Sequence, residues 1–100
     1  MSKEQLLRIY AQHIKNLDDV EDDTGINEEL VLLTRESVAD ETWTLEQQAQ
    51  VDRLDDQLVA RWAQIAEVLP NPNFLRDRGR WWWFLHEGPQ VREEAKALAR

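Results

Sequence analysis

The residues best suited to molecular recognition stand together between positions 76 and 85. Residues 81–85 are three consecutive tryptophans, a phenylalanine and a leucine, and arginines precede them at positions 76, 78 and 80. Arginine beside tryptophan favours cation–π stacking and the recognition of planar or anionic partners. Both residue types also anchor protein interfaces. The sequence therefore indicates binding chemistry in this stretch.

The spacing of these residues predicts which of them reach the surface. Each residue of an α-helix turns by about 100°, so five consecutive apolar side chains cannot share one face. A helix over residues 74–86 would place Trp81 and Trp82 in the core and turn Trp83 to the opposite side. We therefore predict a partner-binding surface formed by Arg76, Arg80, Trp83 and Phe84.

Gly79 leaves the backbone conformation of this stretch open. Glycine weakens a helix interior, so residues 73–78 form a separate turn in one alternative. A strand is a further alternative, and it would place Trp81 and Trp83 on one face with Trp82 on the other. In each case at least one large aromatic side chain points away from its neighbours.

Residues 18–23 contain five carboxylates, which are the ligands that calcium prefers. An EF-hand register that begins at Asp19 places Thr24 where the turn glycine belongs. The same register places Leu30 where the closing bidentate glutamate belongs. Because the motif fails at both positions, we predict a solvated acidic loop and no metal site.

The residues that catalysis requires do not form a recognisable set. The chain has no cysteine and no glycine-rich phosphate loop. Ser37 has no histidine nearby in the sequence to act as its base. His86 and Glu87 are adjacent, and adjacent side chains on a helix diverge by about 100°. We therefore expect no catalytic residues, no enzymatic activity and no cofactor.

The formal net charge of −8 is concentrated in the first two thirds of the chain. Residues 1–69 carry 6 basic and 16 acidic side chains, whereas residues 70–100 carry 6 basic and 4 acidic ones. Such an acidic surface repels nucleic acid and anionic membranes. No apolar run approaches the roughly 18 residues of a membrane span, and the absence of cysteine suits a reducing compartment. We therefore predict a cytoplasmic protein that binds no membrane. Nucleic-acid binding is disfavoured, since only residues 70–100 could attract nucleic acid.

Helical signals follow one another along the chain. Apolar residues recur every three or four positions, and Ser2 and Thr44 are suitable N-caps, Thr44 in a capping box with Gln47. Pro70 ends the longest pattern, which would extend about 40 Å as one helix. The predicted fold is all-α, a small bundle of four to five helices in a single domain, with one long central helix. The helices are predicted at residues 2–17, 27–39, 45–69, 74–86 and 89–99 of the domain 1–100.

Residues 30–33 are four consecutive apolar residues in the second predicted helix. A strand is the competing interpretation of such a run, but the helical pattern continues through Ser37 and Val38. Apolar side chains at four consecutive positions cover most of the circumference of a helix. The sequence therefore predicts that this helix is buried on two sides.

These patterns favour a non-catalytic protein–protein interaction module, such as an adaptor, an inhibitor or an assembly factor. The long central helix and the apolar residues near the C-terminus also predict a homodimer, since most homo-oligomers are two-fold dimers. A ligand- or nucleic-acid-binding module that uses the Arg/Trp stretch is the alternative. An acidic protein that mimics nucleic acid is a third possibility, and charge alone does not separate it from ordinary solubility.

Overall fold

The computed structural model describes residues 2–18, 26–68 and 78–98. All regular structure in these ranges is helical, which confirms the predicted all-α fold. There are five α-helices and one 3₁₀ helix in this part of the chain. They are α1 (Lys3–Asn16), α2 (Ile26–Ala39), α3 (Leu45–Val59), α4 (Trp62–Val68), the 3₁₀ helix Trp81–Glu87 and α5 (Val91–Leu98).

Two of the helices begin at the predicted caps. The Ser2 hydroxyl accepts a hydrogen bond from the Gln5 amide at 3.1 Å, and the Gln5 side chain accepts one from the Ser2 amide at 3.0 Å. Thr44 and Gln47 form the same reciprocal pair at 3.2 and 3.1 Å. Each box satisfies two amides that a helix start leaves without intrahelical partners. The start of α3 is therefore confirmed as predicted.

The single long helix predicted over residues 45–69 is two helices in the structure. Helix α3 ends at Val59 and α4 begins at Trp62. At the break, the Arg61 amide donates to the Leu58 carbonyl at 2.9 Å, a tighter turn than that of an α-helix. Helix α3 packs against α1, whereas α4 packs against the 3₁₀ helix. The bend thus lets the two halves of one apolar pattern serve different neighbours.

Helices α1 and α2 form an antiparallel pair. The Lys3 ammonium donates to the Thr42 carbonyl at 2.6 Å, which joins the start of α1 to the end of α2. The Asn27 side chain donates to the Asn16 carbonyl at 3.2 Å and joins the opposite ends. These two contacts fix the direction of α2, whose inner face then supplies part of the core.

The buried apolar residues of all six helices form one cluster. Its largest fully buried side chains are Tyr10, Leu17, Leu32, Leu58, Ile65 and Leu85. Within the described ranges, no helix combines the length and the apolar character that crossing a bilayer requires.

Gly88 separates the 3₁₀ helix from α5. Its φ of 118° lies in the region that L-residues with a side chain rarely adopt. Its amide donates to the Leu85 carbonyl at 3.0 Å and closes the last turn of the 3₁₀ helix. The predicted helix end at this glycine is therefore present, and α5 follows from Val91.

Candidate functional site

The Arg/Trp stretch forms the 3₁₀ helix Trp81–Glu87, with a kink at Phe84 where φ is −118° and ψ is 15°. The side chains of residues 81–85 are all buried. The prediction that Trp83 faces solvent is therefore wrong, since its exposed fraction is 6%. Helices α2, α4 and α5 all contact this short helix, so apolar side chains that point in several directions each meet protein.

Glu36 of α2 satisfies the polar groups that this burial would otherwise isolate. One of its carboxylate oxygens accepts hydrogen bonds from the indole nitrogens of Trp82 at 3.1 Å and Trp83 at 2.6 Å. Its other oxygen accepts from the Arg80 guanidinium at 2.6 Å. A buried indole N–H needs an acceptor, and here one carboxylate serves two of them. Glu36 thus binds, within the chain, three of the residues whose types suggest recognition of a partner: Arg80, Trp82 and Trp83.

Arg35, the neighbour of Glu36, links Trp82 to the buried carboxylate of Asp55. Its guanidinium lies 4.3 Å from the Trp82 ring centroid and makes two hydrogen bonds to Asp55, at 2.8 and 3.0 Å. Asp55 also accepts a hydrogen bond from the Tyr10 hydroxyl at 2.7 Å. Burial and then the Asp55 carboxylate raise the pKa of Tyr10 well above its ordinary value. Because these partners belong to α1, α2 and α3, the network joins three helices.

Arg92 of α5 completes the surroundings of Trp81. Its guanidinium lies 5.8 Å from the Trp81 ring centroid and is only 10% exposed. It pairs with the Asp56 carboxylate and donates to the Asp52 carbonyl at 3.2 Å. The Arg35 guanidinium also lies near this ring, at 5.6 Å. The cation–π stacking that arginine and tryptophan favour is therefore made within the chain.

The four residues predicted to bind a partner do not form one accessible surface. Arg76 lies outside the described residues. Trp83 and Phe84 are buried, with exposed fractions of 6% and 7%. The Arg80 side chain is 35% exposed and also approaches Asp40 at 3.4 Å. Of the three that the structure describes, only Arg80 substantially reaches solvent.

Arg78 covers Phe84 from the solvent side. Its guanidinium lies 4.6 Å from the Phe84 ring centroid and makes two hydrogen bonds to Glu87, both at 2.8 Å. These bonds lower the pKa of the Glu87 carboxyl. Glu94 lies 3.7 Å from the same guanidinium. This arginine is thus the outer layer over a buried aromatic ring.

A cleft of about 440 Å³ opens beside the Arg/Trp stretch, at the end of α2. Trp43 lines it and donates its indole N–H to the Val38 carbonyl at 2.9 Å. The cleft is lined by both aromatic and basic side chains, among them Trp43, Trp81, Trp82, Arg35, Arg80 and Lys96. Each of these cations already has a carboxylate partner within the chain. The net charge of the cleft lining is therefore closer to zero than its basic side chains alone would give.

The outer side of α2 presents an exposed row of apolar residues, the α2 stripe, which consists of Ile26, Leu30 and Leu33. Their exposed fractions are 54%, 39% and 44%. Their spacing of four and three residues places them on one face of the helix. Val31 and Leu32 between them are fully buried. The prediction that residues 30–33 are buried on two sides is therefore wrong for this chain, since Val31 and Leu32 are buried on the inner side but Leu30 and Leu33 are exposed.

Two other large apolar side chains are exposed in the described residues, each at the end of a helix. Leu45 begins α3 with an exposed fraction of 93%, and Leu98 ends α5 with 66%. Single exposed leucines are ordinary on soluble proteins, whereas aligned ones indicate a contact surface. Leu45 and Leu98 are therefore suitable control positions for experiments that test the α2 stripe.

The described ranges contain no group of three or more side chains placed to hold a metal ion. Of the acidic run at residues 18–23, only Asp18 lies within these ranges, where it pairs with Arg61. The prediction that this run binds no calcium therefore concerns residues outside those that the structure describes.

Burial lowers the pKa of His13, whose Nδ1 has no hydrogen-bond partner in the described part of the chain.

Comparison with known proteins identifies no relative of this chain. No family model, curated protein or solved structure matches it.

Proposed function

We propose that this protein is a non-catalytic protein–protein interaction module whose contact surface is the α2 stripe. The observation that carries the proposal is the exposure of Leu30 and Leu33, at 39% and 44%, on a helix whose other face is core. Apolar residues at this spacing form the contact face when helices pack against a groove or another helix. Such a face would suit a protein that acts as an adaptor, an inhibitor or an assembly factor.

Covering the stripe would release a useful amount of free energy. Full burial of a leucine or isoleucine side chain is worth about 1.5–3 kcal/mol. The three side chains are roughly half exposed, so covering them would contribute about 2–4 kcal/mol. A micromolar complex requires about 8 kcal/mol. The stripe would therefore supply a substantial part of such an affinity, with polar contacts around it supplying the rest.

In this proposal the Arg/Trp stretch supports the contact surface from within. Glu36 and Arg35 bind it to α2, so it helps to hold the helix that carries the stripe. The partner-binding role predicted for Arg76, Arg80, Trp83 and Phe84 stays a prediction. For Trp83 and Phe84 such a role would require the core around them to open, because both side chains are buried.

Homodimerisation and a cytoplasmic location also stay predictions. The homodimer was predicted from a long central helix and from the apolar residues near the C-terminus. That helix is divided at residues 60–61, and the apolar residues at 81–85 are buried within the chain. Both reasons for self-association are therefore weaker than the sequence suggested. The net charge of −8 supports a protein partner rather than nucleic acid or a membrane.

Affinity capture from the native cell extract tests the proposed surface. We expect wild-type protein to capture a partner that the double variant Leu30→Ser/Leu33→Ser no longer captures. The matched control Leu45→Ser/Leu98→Ser removes two leucines that are more exposed, and it should capture the partner normally. Circular dichroism would establish that both variants are folded. Capture that survives in the stripe variant, or fails equally in the control, would refute the proposal.

Ligand binding in the cleft beside Trp43 is a second candidate function. It is favoured by one observation, the cleft of about 440 Å³ that three indole rings line. The pairing of its cations with carboxylates disfavours a phosphate-rich ligand, whose binding would weaken steeply with salt. A planar ligand held by stacking would be nearly insensitive to salt. The nucleic-acid mimic has no observation in its favour beyond net charge.

A further inference from the structure

We propose that the partner element that covers the α2 stripe is a basic amphipathic helix of another protein. The proposal rests on the proposed function and adds the chemistry of the partner. Residues 26–41 carry five carboxylates and a single arginine. That arginine, Arg35, is 8% exposed and is paired with Asp55 in the core. Of the five carboxylates, Glu28 is buried and Glu36 is bound to Arg80, which leaves three exposed ones, Glu29, Asp40 and Glu41. The charge that residues 26–41 present to solvent is therefore acidic.

Exposed carboxylates lie beside the stripe and beyond the C-terminal end of α2. Glu29 is exposed beside Leu30 near the start of α2, and Asp40 and Glu41 are exposed just beyond its end. Arg80 approaches Asp40 at 3.4 Å but also pairs with Glu36. The Lys3 ammonium reaches the Thr42 carbonyl nearby. These two cations stand against three carboxylates, Glu36, Asp40 and Glu41, so the C-terminal end of α2 still carries excess negative charge.

The stripe fits one face of a partner helix. From Ile26 to Leu33 the row is about 10 Å long at 1.5 Å per residue. Side chains at this spacing form a ridge that packs into a groove of a second helix. A partner with apolar residues at matching spacing would cover the row, and lysines or arginines beside them would meet Glu29, Asp40 and Glu41. Opposite charge at the rim also raises the association rate and selects among partners.

A second copy of this chain fits the stripe less well. Pairing two α2 helices would bring together two surfaces that carry the same excess of carboxylates. Like charges that face each other across an interface oppose binding. A membrane surface is disfavoured for a related reason, because anionic lipids repel an acidic face. The charge pattern therefore favours a basic partner over both of these.

Isothermal titration with designed peptides tests the proposal on the full chain. The probe is a 16-residue helical peptide with leucines repeating every three or four positions on one face and lysines on the other. One control peptide has the same composition with the leucines scrambled around the helix. A second control replaces every lysine with glutamate. These probes separate the apolar register from the charge.

We expect the basic amphipathic peptide to bind wild-type protein with a Kd in the micromolar range, and the acidic peptide not to bind. Leu30→Ser/Leu33→Ser should weaken binding by about tenfold or more, which corresponds to about 1.4 kcal/mol. Glu29→Gln/Glu41→Gln should weaken it by several-fold while leaving Leu30 and Leu33 in place. Leu98→Ser should bind like wild type. Raising the salt concentration from about 50 to 300 mM should reduce the affinity, because it screens exposed charges.

Several results would overturn the proposal. They are absence of binding by the basic peptide, equal binding by the acidic or scrambled peptide, and unchanged binding by the Leu30→Ser/Leu33→Ser variant. Light scattering provides a further check, since a wild-type dimer that the same variant dissociates would identify a second copy as the occupant. If native capture requires Leu30 and Leu33 but the basic peptide fails, this inference falls and the proposed function stands.

Discussion

The role of Glu36 leads to a sharp prediction about stability. Replacing Glu36 with alanine removes the acceptor of two indole N–H groups and the partner of Arg80. Trp82 and Trp83 are 3% and 6% exposed, so their donors would have little access to water. We therefore expect Glu36→Ala to destabilise the fold far more than the loss of a surface carboxylate.

The magnitude follows from the geometry of the contacts. A hydrogen bond to a charged group contributes about 1.5–3 kcal/mol, and Glu36 makes two such bonds to buried indoles. The pair with Arg80 is partly exposed, with side chains 35% and 23% accessible, and so adds little. Because water reaches part of the carboxylate, we take the lower end of the range, about 3 kcal/mol in total. A typical domain is stable by only about 5–15 kcal/mol.

Urea denaturation followed by circular dichroism measures this change. With a slope of about 1–3 kcal/mol per molar urea, a loss of 3 kcal/mol lowers the midpoint by about 1–3 M. Glu36→Gln keeps one neutral acceptor, so its denaturation midpoint should lie between those of wild type and Glu36→Ala. Glu29→Ala, on the exposed side of the same helix, should change stability by less than about 1 kcal/mol. If Glu36→Ala is no more destabilising than Glu29→Ala, the buried indole network does not stabilise the fold.

Two further predictions concern Trp83, which is buried, and His13, which is partly buried. Trp83→Ala should cost about 3–5 kcal/mol, as much as Trp81→Ala, because both side chains are 6% exposed; a shift below about 1 kcal/mol in urea denaturation would contradict the burial of Trp83. Burial lowers the pKa of His13 in the folded state below its ordinary value of 6.5, so its protonation favours unfolding. The contribution of neutral His13 to the free energy of unfolding should therefore be complete above about pH 6.5 and should decline as the pH falls below that value. His13→Gln should show a smaller loss of stability than wild type between pH 7.5 and pH 5, and identical pH profiles would refute this assignment.

The features that sequence predicted well are those that depend on neighbouring residues. A capping box needs only a hydroxyl and an amide three residues apart, so the start of α3 at Thr44 and Gln47 could be read directly. The glycine at position 88 likewise marked the end of a helix. Such signals act over a single turn, and no tertiary contact is needed to recognise them.

The division between α3 and α4 could not be predicted in this way. No glycine or proline stands between Val59 and Trp62, so the local signals favour a continuous helix. The apolar pattern continues across the break because Leu58 and Ile65 are both core residues. What differs is the neighbour, α1 for α3 and the 3₁₀ helix for α4. This difference exists only in the folded structure.

The position of Trp83 was predicted wrongly for a related reason. An α-helix with one buried side would turn Trp83 outward, whereas the 3₁₀ helix is contacted by three other helices. The acceptor of its indole N–H is Glu36, which is 47 residues away in the sequence. A glutamate in the middle of an amphipathic helix gives no sign that it will accept hydrogen bonds from two tryptophans. The types of the interacting residues were predictable, but their partners were not.

The exposure of the α2 stripe follows from how α2 is held. Arg35 and Glu36 are adjacent, so they leave the helix about 100° apart and bind two different parts of the structure, Asp55 in the core and the indoles of the 3₁₀ helix. Rotating α2 to bury Leu30 and Leu33 would break the Arg35–Asp55 pair. Breaking a buried ion pair costs about 3–5 kcal/mol, and the lost Glu36 contacts would add to that cost. Burial of the stripe would return only about 2–4 kcal/mol. The apolar face is therefore held outward by the polar contacts on the other sides of the helix, together with the buried Val31 and Leu32 on its inner face.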